Sequence, residues 1–334
     1  MDYRMTARWI ERNYRRMQAR TVGQIVRGAS LRVWPLSQMV HSHYRARMAP
    51  LNWSKANAQA LRNLKVSPPQ LDMQQQGAVS ALRNNGYYKT TVGNFLDDPA
   101  LLDDIRRDAE ALLVRPDVQR QLANRHSTEG IKWYVVRAFG YRPRLPVPTS
   151  FTRLLLNDRI LSVVNSYLGV TSRLKYLDVW HNFQVDDSEP PIDAESWHRD
   201  NEDRKLVKLF FHLSDVDETA GPLTYVRGSQ PEGPLGHLFP NDPPEGSYPP
   251  AKELESVVSP GLIEQNTGDA GTMLLFDACG LHRGGRTKGK ARTLLVATYA
   301  SDAALDLLKY ELAEPQRIAD LSRQARYAIH VPMD

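Results

Sequence analysis

The apolar positions of this 334-residue chain change their period part-way along it. Near the N-terminus Tyr3, Ala7, Ile10, Tyr14, Met17, Thr21 and Ile25 recur at steps of three and four, which places them on one face of a helix. Arg4, Arg8, Arg12, Arg15, Arg16 and Arg20 fall largely on the other face. Ser67-Pro68-Pro69-Gln70 breaks the chain and predicts a linker. Beyond it, Asp98-Pro99 reads as a helix cap followed by proline at the first helical position. Leu101, Leu102, Ile105, Ala109, Leu112 and Leu113 then give one apolar face. A second helix is expected from Phe151 to Leu168, stopped by Gly169.

From residue 174 the apolar runs become short, rich in branched and aromatic residues, and separated by turn residues. Leu174–Val185, Leu206–Leu213, Leu223–Val226, Gly271–Phe276 and Thr293–Tyr299 read as strands. A helical front half followed by many short strands predicts a mixed, mainly β fold. The expectation is a double-stranded β-helix (a jelly roll, cupin-like) flanked by α-helices, behind a helical basic N-terminal extension. The expected organisation is extension and linker over 1–75, the jelly-roll domain over 76–302, and a helical tail over 303–334. The tail should pack on the domain, interrupted at Pro315. Residues 231–260 hold eight of the 22 prolines, which argues for a long loop there. Such a loop is either functional, often a lid, or a plain surface insertion.

Composition narrows the class. A hydrophobic content of 41% is enough for a buried core. The single cysteine, Cys279, excludes a disulfide framework and a cysteine-based zinc site, and it fits a reducing compartment, so a cytoplasmic location is expected. No apolar run approaches the roughly 20 residues that span a bilayer, and no signal-peptide pattern follows the basic N-terminus. Residues 1–66 carry thirteen lysines and arginines against Asp2 and Glu11, a net +11, which leaves −6 for the rest of the +5 chain. A basic arm on a mildly acidic body suits an anionic membrane surface, a nucleic acid, or simply a helix docked on the body with its arginines in water.

The candidate chemistry begins at Trp197-His198-Arg199-Asp200, the one His-x-Asp/Glu triplet in the chain. Alone the triplet is weak, because about one is expected by accident in a chain of this composition. Residues two apart on a strand point to the same side, so His198 and Asp200 can reach one metal. A distant third ligand is His282, which follows the strand-like Gly271–Phe276 through a glycine-flanked turn. Two histidines and one carboxylate leave one face of an octahedral Fe(II) open. Ten residues on, Arg292 opens another strand, and its planar guanidinium suits the distal carboxylate of 2-oxoglutarate. That arrangement leaves a position for O2.

Several stretches resemble, in order, the phytanoyl-CoA dioxygenase family. Asn84-Asn85-Gly86-Tyr87-Tyr88 and Asn94-Phe95-Leu96 are similar to its opening strand and helix entry. Trp197-His198-Arg199-Asp200 is similar to its first metal pair, and Leu213–Leu223 ending in Arg227-Gly228-Ser229-Gln230 to its central strand–turn–strand signature. Gly268-Asp269 through His282 to Arg292 resembles its last metal and cosubstrate segment. The resemblance covers residues 76–302. It departs at Gly284, where the family often has a hydroxyl residue, with Thr293 as a substitute, and at Gln230, where it often has histidine.

The resemblance implies an Fe(II)/2-oxoglutarate dioxygenase that hydroxylates an aliphatic C–H of a small, lipid-, CoA- or sugar-linked substrate and yields succinate and CO2. The metal carboxylate Asp200 favours hydroxylation over halogenation, while desaturation, epimerisation and cyclisation stay open. Lys208 either contacts 2-oxoglutarate or faces solvent. Trp180, Asn182, Trp197, Arg283 and Arg286 are candidate substrate residues, against the alternative that strand aromatics are core. His181 and His212 read as hydrogen-bonded core or rim histidines. Two other functions compete. One is a nucleic-acid or protein hydroxylase gripping its target with the basic arm, although no nucleic-acid-binding signature accompanies that arm. The other is a catalytically silent jelly-roll binding protein, which need not retain all four of His198, Asp200, His282 and Arg292.

Overall fold

A computed structural model describes residues 42–43, 45–123, 134–140, 143–186, 188, 193–240, 247–305, 308–313 and 318–331. The amphipathic stretch from Tyr3 to Ile25 lies outside the described residues. Eleven strands are described: β1 Tyr87–Thr91, β2 Val135–Arg137, β3 Arg144–Leu145, β4 Arg173–Asn182, β5 Val207–His212, β6 Leu223–Val226, β7 Ile263–Asn266, β8 Thr272–Asp277, β9 His282–Arg283, β10 Arg292–Ala300 and β11 Glu311–Leu312. Six of them form one sheet in the order β1-β8-β5-β10-β4-β2, antiparallel at every pairing. A smaller sheet runs β7-β6-β9, also antiparallel. Tyr225 of β6 meets Phe276 of β8 edge-on, with centroids 6.2 Å apart, so the two sheets face each other as the jelly-roll expectation requires.

Alternation along the strands divides the large sheet into two faces. Leu209 and Phe211 of β5, Met273 and Leu275 of β8, and Leu295, Ala297 and Tyr299 of β10 point outward into the main core, beneath the helices. The opposite face carries Phe210, Leu274, Phe276, Leu294 and Val296, which turn toward the small sheet. The cross-strand register fixes which side chains share that inner face. Thr298 is opposite Lys208, Val296 opposite Phe210, Leu294 opposite both His212 and Trp180, and Arg292 opposite Asn182.

The helices of the front half follow from local signals. Asp72 and Gln75 form a capping box at the start of Met73–Asn85, and Gly86 closes that helix in the left-handed region at φ 85°. A Cβ at Gly86 would fall 2.4 Å from the Tyr225 hydroxyl, so the turn into β1 needs glycine for conformation and for space. Leu101–Leu113 is helical as expected, but Ala100 is its N-cap rather than Asp98. The Asp98 carboxylate pairs instead with Arg153. The single helix expected from Phe151 to Leu168 is two, Ser150–Leu155 and Asp158–Leu168. The side chain of Asn157 accepts from the Arg159 N–H at 2.9 Å and starts the second, which ends on Gly169 at φ 72°.

Two expectations about the flanks change. The basic arm is not separate from the body over its last third. Pro50–Ala56 and Ala58–Val66 are helices, Ala60 is fully buried, and Trp53 Nε1 donates to Asp203 Oδ1 at 3.2 Å. Arg47 donates to the carbonyls of Ala303 and Asp302. The tail is only partly helical: Glu311–Leu312 pairs with β3, and a helix covers Arg323–Ala328. It does pack on the domain, through Tyr310, Tyr327, Ala328 and Ile329 in the main core. Over its described residues, the segment 231–260 is more ordered than a bare loop. It contains the helix Ala251–Val257, and Leu235, Leu238 and Phe239 pack on Trp197, Val226 and Leu281.

Candidate metal centre

His198, Asp200 and His282 come together from two segments 82 residues apart, and their ligand-capable atoms all lie within 4.8 Å of one another. Main-chain bonding makes the meeting specific. His198 N donates to His282 O at 2.9 Å, His282 N donates to His198 O at 3.0 Å, and Asp200 N donates to Ala278 O at 2.8 Å. The two imidazoles stand with centroids 4.2 Å apart, and His198 Nε2 is 3.8 Å from Asp200 Oδ1. His198 Nδ1 lies 2.9 Å from the Ser196 carbonyl and His282 Nδ1 lies 3.0 Å from the Gly280 carbonyl. A carbonyl oxygen only accepts, so each Nδ1 carries the proton and each Nε2 keeps its lone pair. Burial, then His198, pushes the His282 imidazole well below its ordinary range, which keeps it neutral as a ligand must be.

Lys208 reaches this group from the inner face of β5, and its ammonium pairs with Asp200. Burial acts to raise the Asp200 carboxyl, but the opposing effects, led by the Lys208 ammonium, outweigh it and hold the group below the usual carboxylate range. Burial likewise acts to lower the Lys208 ammonium, and Asp200 and Glu202 reverse that, so Lys208 is raised. Both partners therefore stay charged.

Arg292 lies on the same inner face, three inward-facing rows beyond Lys208. It is 6% exposed, and no carboxylate pairs with it among the described residues. Burial lowers its pKa to about 10, opposed by Tyr134, which leaves it a cation at neutral pH. Its Nε is buried with no hydrogen-bond partner, and so is Oδ1 of Asn182 directly across the ladder. Buried polar groups are normally satisfied, so the orphaned donor of Arg292 and the orphaned acceptor of Asn182 mark a place for a polar partner.

Other expected site residues fall elsewhere. Thr293 follows Arg292 and so points to the opposite face of the sheet, where its hydroxyl lies 3.0 Å from His181 Nδ1. It cannot take the place of the hydroxyl missing at Gly284. Trp197 is 1% exposed and belongs to the cluster outside the small sheet, since it alternates with His198. Arg283 alternates with His282 for the same reason and stacks over Trp197 at 4.6 Å. Neither faces the metal group. Trp180 does face inward, but Nε1 donates to the Tyr176 hydroxyl at 2.7 Å and the ring packs among Leu294, Val296 and Phe210. Arg286 is held by Glu195 in a two-pronged ion pair of 3.2 and 2.8 Å and is thereby taken out of contention as a ligand anchor. His212 donates to, or accepts from, nothing near the metal group; its Nδ1 lies 3.2 Å from the Gly268 carbonyl.

Sequence reasoning missed Tyr134, Glu195 and Tyr248. Tyr134 is buried beside Arg292 and Glu195, and Tyr248 stacks on His198 with centroids 6.0 Å apart. None carries a local motif; each arrives from a loop whose path the periodicity does not encode. A surface cavity of about 320 Å³ opens between the Ser67–Gln70 linker and the helices Asp158–Leu168 and Arg323–Ala328, and it contains none of the metal-group residues.

No family model and no curated protein matches this chain. Solved structures do. EctD from S. alaskensis, with 2-oxoglutarate and 5-hydroxyectoine, is 17% identical, over 77% of this chain and 85% of its own, at TM-score 0.49. The epimerase SnoN, with Fe3+, alpha ketoglutarate and nogalamycin RO, is 18% identical over 68% and 84%, at 0.45. HygX from Streptomyces hygroscopicus, with nickel, 2-oxoglutarate and hygromycin B, is 18% identical over 79% and 98%, at 0.43. Likeness of this degree carries no residue roles across.

Proposed function

We propose that the chain is an Fe(II)- and 2-oxoglutarate-dependent oxygenase, of the phytanoyl-CoA dioxygenase type, that hydroxylates an aliphatic C–H of a small molecule. One observation carries the reading. Two imidazoles, each with its Nδ1 facing a carbonyl, converge with one carboxylate, and a buried Arg292 with no carboxylate partner among the described residues shares the inner face with them. In this reading His198, Asp200 and His282 hold the iron. Three protein ligands on one side leave room for a bidentate cosubstrate and O2. Arg292 holds the distal carboxylate of 2-oxoglutarate, with Asn182 beside it; turning the Asn182 amide offers its Nδ2 donors to the same group. When bound, the iron would let O2 serve as the oxidant, with 2-oxoglutarate giving up two electrons as it becomes succinate and CO2. Lys208 keeps Asp200 ionised for the metal. Phe210, Phe276, Leu294 and Val296 give the space between the sheets dry walls, and a water-poor site strengthens the charge interactions inside it.

We further propose that the protein is cytoplasmic and that its arginine-rich residues 1–41 meet an anionic membrane face. No helix among the described residues is long and apolar enough to cross a membrane. Salt-sensitive binding to anionic liposomes, lost on deleting 1–41, tests that part.

For the central reading, calorimetry with 2-oxoglutarate is run under anaerobic conditions with and without Fe(II). Binding of 2-oxoglutarate that depends on the metal, at one equivalent, is expected. Tight binding that ignores the metal, or none in its presence, would reject the reading.

A further inference from the structure

The residue between the two metal-side ligands of the first segment is itself buried and charged. Arg199 is 3% exposed. Its guanidinium donates to four main-chain carbonyls and to no carboxylate among the described residues. Nη1 reaches Ser229 O at 2.5 Å and Cys279 O at 2.6 Å, Nη2 reaches Leu238 O at 2.8 Å, and Nε reaches Phe239 O at 3.0 Å. Its own N–H donates to Ser247 O at 3.1 Å. One side chain thus ties three pieces of chain to the extended segment that carries His198 and Asp200.

Each tie bears on the metal group or on the loop. Cys279 sits in the turn whose Ala278 carbonyl accepts from Asp200 N and whose Gly280 carbonyl accepts from His282 Nδ1. Leu238 and Phe239 belong to the proline-rich segment after β6. Phe239 has φ 46°, a left-handed conformation that a residue with a bulky side chain rarely adopts. Its carbonyl accepts from both Arg199 Nε and Ser247 Oγ, the latter at 2.8 Å. A strained backbone persists only where its surroundings over-determine it. Here Arg199 supplies much of that determination. A fork of five donors in fixed geometry makes this a rigid coupling, unlike the single flexible ammonium of lysine.

We propose that Arg199 is a positioning residue that makes the Leu235–Phe239 segment and the His198/Asp200/His282 group one cooperative unit, so that metal binding and ordering of that segment reinforce each other. The inference rests on metal binding at these three residues. By reciprocity, whatever factor the metal adds to the order of the segment, the ordered segment adds to metal affinity.

The test uses the full-length protein and Co(II) alone, whose visible absorption reports on its ligands. Hydrogen exchange is followed at the amides of 235–239 with and without the metal, beside a Co(II) titration. In the wild type, Co(II) is expected to slow exchange there about tenfold, within the usual span of coupling between sites. Arg199→Met is expected to weaken Co(II) binding by about the same factor and to abolish the metal-dependent change in exchange. Ser247→Ala, which leaves Arg199 in place and removes one bond to the Phe239 carbonyl, should retain part of both effects. A purely structural role for Arg199 would lower stability but leave the metal-induced difference intact. Co(II) binding with unchanged exchange at 235–239 in the wild type overturns the proposal and leaves the metal reading standing. Failure of the wild type to bind Co(II) through these residues overturns both. Should Arg199→Met not fold, the wild-type and Ser247→Ala measurements decide the matter alone.

Discussion

His198 and His282 bond to each other through both of their main chains, at 2.9 and 3.0 Å, while their imidazoles stand 4.2 Å apart on the same side. An antiparallel pair that exchanges both bonds is fixed in register. The two Nε2 atoms therefore meet because of backbone pairing, before any ligand contributes, and the binding of an ion needs little rearrangement.

Arg292→Ala is expected to raise the 2-oxoglutarate requirement severely with little effect on metal affinity. Losing one partner of a buried charge pair commonly costs about 3–5 kcal/mol. Calorimetric titration of the metal-loaded variant with 2-oxoglutarate measures it. Wild-type affinity in the variant would remove Arg292 from the assignment. The ion pair of Arg286 with Glu195 makes that arginine a poor replacement.

Asp178 gives a pH signature. The carboxyl is fully buried, and burial raises its pKa to about 7, against opposing bonds such as the Phe139 N–H at 2.9 Å. The folded state thus holds a proton that the unfolded chain, with a pKa near 3.8, releases. The stability tied to this group is complete below about 4 and is lost as pH rises through about 7. At about 1.4 kcal/mol per pH unit the full effect is on the order of 4 kcal/mol. Asp178→Asn retains an acceptor for Phe139 N–H and removes the titration. Urea unfolding at pH 5 and pH 8 should show a smaller loss of stability in the variant than in the wild type, and equal losses would refute the assignment.

Truncation separates the two parts of the arm. Deleting 1–66 should lower the melting temperature more than deleting 1–41 does. Deleting 1–66 removes Trp53, bonded to Asp203 three residues beyond Asp200, and the buried Ala60 and Asn57. A loss of roughly 2–5 kcal/mol is expected from the packing alone, together with weaker metal binding. Indistinguishable thermal melts for the two deletions would contradict the docking of residues 45–66.

Much of this architecture was legible in the chain. β4, β5, β6, β8 and β10 follow strands expected from branched and aromatic runs, and His198, Asp200 and His282 converge as the triplet and the distant histidine suggested. What escaped was whatever depends on the path of loops. β9 has two residues and no periodicity to read. The break at Asn157 is a local capping contest that an apolar stripe conceals. Trp197, Arg283 and Thr293 were misplaced for one reason: each neighbours a site residue, and on a strand a neighbour points the other way.

The most direct test of the central claim is the visible spectrum of the anaerobic protein with Fe(II) as 2-oxoglutarate is added. The account predicts a metal-to-cosubstrate charge-transfer band that saturates at one equivalent and is absent from His282→Ala and Asp200→Ala at the same concentrations. No band in the wild type, or an undiminished band in those two variants, would contradict iron and 2-oxoglutarate meeting at His198, Asp200 and His282.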